Sequence, residues 1–172
     1  MYQLTKQHAY KRAFITGAAS GLGKAICLEL AKDKWTIGMS DINEAQLINT
    51  SKEVESAGAK VFIYQLDVSN RHQYKNVAEE FLHNAGGIDL LFNNAGVGDG
   101  GKFEEYGLDN WEWMIGINQM GVVHGCYFFI PAMKQQNSGH IFNTASLAAV
   151  TCPPQMGAYN MTKAAVVAVS ET

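Results

Sequence analysis

The sequence predicts an α/β fold in which a doubly wound parallel sheet carries helices on both faces. Three observations lead there. Short apolar runs, rich in β-branched and aromatic residues and bounded by Gly, Asn or Asp, recur along the 172 residues. Longer stretches of helical spacing separate them, and strands alternating with helices imply right-handed crossovers into a parallel sheet. The strands are almost continuously apolar, as burial on both faces demands.

RAFIT (12–16) is the first strand, and the glycine-rich run TGAASGLG (16–23) leads from it into a helix. After Gly23, Ile26 and Leu30 fall four apart with Ala25 and Leu28 beside them, a helical spacing. WTIGMS (35–40), VFIYQL (61–66) and IDLLF (88–92) supply the next three strands. The more polar segments 43–57 and 70–85 suit helices with one exposed face. A fourth, longer crossover spans 93–138 and holds a helix over 110–136, interrupted in pattern by Gly116, Gly121 and Gly125. A glycine inside a helix costs ~1 kcal/mol against alanine, so close packing or a kink is expected there. HIFNT (140–144) is the fifth strand, and a last helix begins near Gly157.

Composition bounds the function. One domain over 12–172 is expected, after an extension at 1–11. Apolar residues make up 47% and charged residues 17%, which fits a globular core rather than disorder. A net charge of -3 with no basic run argues against a nucleic-acid partner. MYQLTKQHAY lacks the apolar stretch of a signal peptide, and no run approaches the ~20 apolar residues of a membrane span, so no membrane partner is expected. Cys27, Cys126 and Cys152 are scattered without a CxxC pair and read as reduced thiols. A soluble, cytoplasmic protein is the expected class.

In TGAASGLG, Gly17, Gly21 and Gly23 allow a sharp turn and close backbone approach to a ligand. Free N–H groups and the positive end of the following helix favour a phosphate. The spacing is G-x3-G-x-G rather than G-x-G-x-x-G, and a glycine-rich turn without a ligand is the alternative. The second strand ends in Asp41, 18 residues after Gly23, placed to accept hydrogen bonds from an adenosine ribose diol and to repel a 2′-phosphate. NAD is therefore favoured over NADP. The alternative for Asp41 is a helix N-cap for the segment starting at Ile42. Lys24, beside the loop, reads as a solvated helix lysine. Asp67-Val68 ends the third strand and suits an adenine edge and face, while Asn93-Asn94-Ala95-Gly96 ends the fourth and is alternatively only a turn. Four such features on successive strand ends strengthen the nucleotide reading.

Tyr159 and Lys163 lie four apart at the start of the last helix and so share one face of it. A free tyrosine is a poor base at neutral pH, and a neighbouring ammonium favours its phenolate. An exposed helix pair is the alternative. Ser146, just past the fifth strand, offers a hydroxyl to a substrate oxygen near the tyrosine, or else it is a turn or cap serine. No G-x-S-x-G elbow supports a serine hydrolase, and no H-E-x-x-H or Cys/His cluster supports a metal. His8, His72, His83, His124 and His140 read as surface or structural residues.

Taken together, TGAASGLG, Asp41, Asp67-Val68, NNAG and Ser146 with YNMTK resemble the short-chain dehydrogenase/reductase superfamily from about Arg12 onward. The resemblance implies a Rossmann-type sheet and an NAD(P)-dependent oxidoreductase acting on a small-molecule alcohol or carbonyl. It implies cofactor contacts from Gly17, Ser20, Gly21, Leu22, Gly23, Asp41, Asp67, Val68, Asn94, Ala95 and Gly96, and from Tyr159 and Lys163. Leu22 stands where the family often has isoleucine. Tyr159 would be the general base in oxidation and general acid in reduction. Lys163 would favour its phenolate and bind the nicotinamide ribose. Ser146 would hold the substrate oxygen, and Asn118 would help retain a relay water.

The resemblance also implies more chain after the Tyr-Lys helix: a further helix, two strands and a mobile segment over the substrate. A longer form beyond Thr172 is expected, because without those strands the fifth strand becomes an unpaired sheet edge. A nucleotide-binding module that lacks the substrate cover, or a structural fragment, is the alternative for the 172 residues. Relatives form dimers and tetramers through the long and final helices. With Trp111, Trp113, Phe128 and Phe129 in the long one, a homo-oligomer is expected, some of these side chains being core.

Overall fold

Strand β1 (Arg12–Thr16) is buried along its whole length because it lies at the centre of the sheet. The computed structural model describes residues 8–172, so most of the extension expected at 1–11 lies outside the described residues. On one side β1 pairs with β2 (Thr36–Asp41), which pairs with β3 (Lys60–Gln65). On the other it pairs with β4 (Leu90–Asn93), which pairs with β5 (His140–Asn143). All pairings are parallel, in the order β3-β2-β1-β4-β5. The strand order reverses between β1 and β4, so the loops that leave these strands diverge and open a crevice at their carboxyl ends. β5 is an edge strand of this sheet, as expected, and Phe142 on it stacks on Phe92 with ring centroids 4.6 Å apart.

Period-two alternation divides the core. Ala13 and Ile15 join Trp35, Ile37, Met39 and Leu90 under helices α1 (Gly21–Ala31) and α2 (Glu44–Ser56). Phe14 and Leu91 face the other way, against α3 (Arg71–Ala85) and the long helix. There the Phe14 ring lies 5.1 Å from Phe81 and 4.9 Å from Phe129, distances typical of favourable aromatic pairs. Gly38 makes room for this cluster, since a Cβ there would fall 2.5 Å from the Phe14 ring. Burying each such aromatic contributes about 1.5–3 kcal/mol.

The long helix starts earlier than the pattern predicts, at Leu108. It comprises α4 (Leu108–Met114), one π-helical turn (Ile115–Met120) and α5 (Gly121–Gln136). The glycines serve close packing. A Cβ at Gly121 would lie 2.8 Å from Val68 Cγ2, and one at Gly125 would fall 2.7 Å from Tyr74 Oη and onto Asn93 Oδ1. Phe129 is core, Phe128 and Trp111 are partly buried, and Trp113 is exposed. A short turn, α6 (Ala148–Thr151), was not predicted, being too brief to show periodicity. It leads into α7 (Gly157–Ser170). No helix among the described residues is long and apolar enough to cross a membrane.

Candidate active site

A cleft of about 400 Å³ runs along the carboxyl ends of β1 to β4, lined by Gly17, Ser20–Leu22, Asp41, Asp67–Val68 and Asn94–Val97. Its floor is the glycine loop. Gly17 has φ 66°, a left-handed conformation, and a Cβ there would lie 2.9 Å from Ala95 Cα. A Cβ at Gly23 would run into the Gly17 carbonyl, so the loop folds back on α1 only as glycine. Asn43 and Asn70 cap α2 and α3 with their side chains, whereas Ser20 makes no capping bond to α1 and no acidic residue occupies its first turn. The positive end of α1, lined by Ser20 to Leu22, thus faces the cleft with no capping side chain and no acid in its first turn.

Asp41 is not the cap of α2. That role falls to Asn43, whose Oδ1 accepts from Gln46 N at 3.0 Å. The Asp41 carboxylate instead accepts the Ala19 N–H on Oδ2 and the Asn43 N–H on Oδ1, both at 3.0 Å, tying the glycine loop to the end of β2. Lys24 is turned away into a surface ion pair with Glu53 at 2.7 Å. Asp67 Oδ1 accepts from Ser69 N at 2.9 Å and Ser69 Oγ at 2.7 Å, fixing the turn after β3.

Asn93 to Gly96 is more than a turn. Thr16 Oγ1 accepts the N–H groups of Asn94 and Ala95 at 3.0 and 2.9 Å, and Asn94 Nδ2 returns a bond to the Thr16 carbonyl at 3.0 Å. Thr16 was not singled out from the sequence, although it opens the glycine run.

Residues 96–98 then meet the second group of side chains. Asn118, 1% exposed, holds Val97 by both ends: its Oδ1 accepts the Val97 N–H at 2.8 Å and its Nδ2 donates to the Val97 carbonyl at 2.9 Å. The Asn118 amide also donates to Thr162 Oγ1 at 3.2 Å, and Thr162 donates to the Tyr159 carbonyl at 2.9 Å. Lys163 is buried, with Nζ 2.6 Å from the Thr144 carbonyl and 5.8 Å from the centre of the Tyr159 ring. Burial pushes the Lys163 ammonium below its ordinary range. A Cβ at Gly96 would sit 3.6 Å from Lys163 Nζ, and one at Gly98 would sit 3.8 Å from Tyr159 Cε2. Tyr159, Lys163 and Asn118 therefore converge beside the glycine-lined cleft, and Tyr159 and Lys163 are not an exposed pair. Ser146 lies two residues past Thr144, and its Oγ accepts the Ala148 N–H at 3.2 Å in the turn that leads into α6. Among the histidines, His8 and His124 are buried. No group of three or more His, Cys, Asp or Glu among the described residues is gathered as for a metal.

A family model for short chain dehydrogenases matches residues 11–172. The chain belongs to the short-chain dehydrogenases. It is 35% identical over 162 residues to the 3-oxoacyl-(acyl-carrier-protein) reductase FabG of Thermotoga maritima, covering 94% of this chain and 66% of that protein. Among solved structures, a short-chain dehydrogenase/reductase from Burkholderia phymatum in complex with NAD superposes with a TM-score of 0.91 at 44% identity, over 94% of this chain and 58% of that one. The alcohol dehydrogenase of the archaeon Thermococcus sibiricus, complexed with 5-hydroxy-NADP, gives 0.89 at 30% identity over 94% and 68%. This short-chain dehydrogenase thus spans about three-fifths to two-thirds of the length of these relatives. The shared fold is the five-stranded parallel sheet with its flanking helices.

Proposed function

We propose that the chain binds NAD in the glycine-lined cleft and transfers a hydride between that cofactor and a secondary alcohol or its carbonyl. The observation that carries this reading is the convergence of Tyr159, Lys163 and Asn118 on residues 96–98, at the edge of a cleft shaped for a dinucleotide. The cleft fits the group. Its floor admits no Cβ at Gly17, and the uncapped end of α1 suits a pyrophosphate. Asp41, at the far end, suits a ribose diol and opposes a 2′-phosphate. Similarity to one chain crystallised with NAD and another with an NADP analogue supports a nicotinamide dinucleotide, and the Asp41 charge favours NAD.

A bound nicotinamide supplies or accepts the hydride, chemistry that belongs to the cofactor. The residues handle the proton and the geometry. As the phenolate, Tyr159 takes the proton from an alcohol; as the phenol, it gives its proton to a carbonyl oxygen. The Lys163 ammonium, held by the Thr144 carbonyl, favours the phenolate. It has further N–H donors free for ribose hydroxyls. Ser146 offers a hydroxyl to the substrate oxygen, and Asn118 fixes the main chain at Val97 on the proton's route. Trp113 on α4 and Tyr127 on α5 are 46% and 72% exposed, which supports a homo-oligomer through the long helix.

Thermal-shift titration with NAD and NADP, followed by a screen of secondary alcohols for reduced nicotinamide, tests the reading. NAD should stabilise wild type and Tyr159→Phe alike. Turnover should fall about 10²–10⁴-fold in the variant, the contribution of a positioned acid–base group. Near-normal turnover in Tyr159→Phe would sink the assignment. Nucleotide binding with no turnover on any alcohol would favour a nucleotide-binding module.

A further inference from the structure

One wall of the cleft is fixed from outside it. Val68 lines the cleft just past β3 and is 7% exposed. Two residues of α5 set its place. Gly121 approaches so closely that a Cβ would lie 2.8 Å from Val68 Cγ2. One turn further along the same face, His124 is 9% exposed, with Nδ1 2.9 Å from the Val68 carbonyl oxygen. A carbonyl only accepts, so Nδ1 carries the hydrogen in this contact. The imidazole lies 6.1 Å from the Tyr74 ring and 6.4 Å from Phe128. Packing therefore sets the orientation in which it donates.

We propose that His124 is a positioning residue for the nucleotide, holding Val68 through its main-chain carbonyl where the adenine ring packs. The inference rests on the nucleotide reading above and adds a residue that touches no ligand. Its physical basis is preorganisation. With the donor gone, residues 67–69 keep the Asp67–Ser69 bonds, the bonds of the Asp67 main chain with Gln73 and Asn70, and the contact with Gly121, but none of these holds the Val68 carbonyl. The segment then samples other arrangements, and binding must bear the cost of ordering it.

Two substitutions separate the hydrogen bond from the packing. His124→Phe keeps an aromatic ring against Tyr74 and Phe128 but cannot donate, while His124→Gln keeps a side-chain N–H. Calorimetric titration with AMP, which probes the adenine half alone, and with NAD should show both dissociation constants raised about three- to tenfold in His124→Phe, the loss of one modest hydrogen bond. His124→Gln should stay near wild type. Nitrogen NMR of the wild-type chain should place the hydrogen on Nδ1, and that result does not depend on either variant folding. Unchanged AMP affinity in a folded His124→Phe overturns the proposal, as does an Nε2–H tautomer in wild type. Equal weakening in His124→Gln also overturns it, because ring volume rather than the bond would then be responsible. A wild-type chain that binds neither AMP nor NAD removes the nucleotide reading itself, and this inference with it; that failure is distinguishable because it appears before any substitution.

Discussion

Replacing Asp41 with asparagine tests cofactor choice and loop architecture at once. The carboxylate receives two main-chain N–H groups, from Ala19 and Asn43, each at 3.0 Å and each on a different oxygen. Asparagine has one oxygen, so one of those donors would face an NH₂ group instead. Ala19 is 2% exposed, so its N–H has little recourse to water. An unsatisfied buried donor costs about 1–3 kcal/mol, and the variant should lose stability in that range. The charge has a separate effect. A 2′-phosphate ~5 Å from the carboxylate would feel a repulsion of about 1 kcal/mol in water and about 3 kcal/mol at an effective dielectric of 20. Asp41 is only half-buried in the wall of an open cleft, which places the effect toward the lower end. Removing it should raise the affinity for NADP relative to NAD by about tenfold. Calorimetric titration with both nucleotides at low salt reads the ratio, and urea unfolding reads the stability. A variant that loses stability but keeps the wild-type ratio would show that Asp41 only ties the glycine loop to β2.

The remaining predictions concern buried groups. Burial lowers the Lys163 pKa from its ordinary 10.5, so between the lowered value and 10.5 the unfolded chain holds more protons than the folded one. Stability of wild type relative to Lys163→Met should therefore rise as pH increases through that window, and a flat difference in melting temperature would contradict it. Gly125→Ala gains ~1 kcal/mol of helix propensity but drives a methyl onto Asn93 Oδ1, within 2.7 Å of Tyr74 Oη, for a net destabilisation of about 1–3 kcal/mol by urea unfolding. Gly116→Ala meets only Ser69 Cβ at 3.3 Å and should come out much milder; equal losses would undo the packing account. Burial pushes the Cys27 thiol up to about 12 and raises Cys126 as well, while Cys152 is exposed. A thiol reagent near neutral pH should label Cys152 first and reach Cys27 only after unfolding, so native labelling of Cys27 would refute its burial.

How much of this was legible in the sequence follows from the range over which each signal acts. Each of the five strands begins within two residues of its apolar run, because burial on both faces leaves a continuous local pattern. Asp41 and the glycines were legible as candidates because a ligand site at strand ends would need those residue types at those places. Thr16, Thr144 and Thr162 were not. Each acts through its hydroxyl or carbonyl on main chain or side chain far away in sequence, 78 residues in the bond between Asn94 and Thr16. No local pattern distinguishes such a threonine from one that merely occupies a strand end or a helix. His124 was readable only as surface or structural, since nothing nearby in sequence points to Val68, 56 residues before it.

Asn118 shows where periodicity alone misleads about burial. A helix of 3.6 residues per turn makes an asparagine between Ile117 and Gln119 look like a surface residue. The chain does not keep that period. In the turn Ile115–Met120 the Gly121 N–H reaches back five residues to the Gly116 carbonyl, so one extra residue is accommodated and everything after it is rotated by about 100° relative to an unbroken helix. That rotation buries Asn118 against Val97 and Thr162 while Gly121 and Gly125 come to face Val68 and Asn93. The three glycines that disturbed the pattern mark where the helix changes phase and where it must pass close to the strand ends. The wide turn sets Asn118 against the loop after β4, and the glycines just beyond it bring α5 close to the loop after β3. The same local departure from regular helix thus serves both walls of the cleft, which is why a reading based on regular helix misses them together.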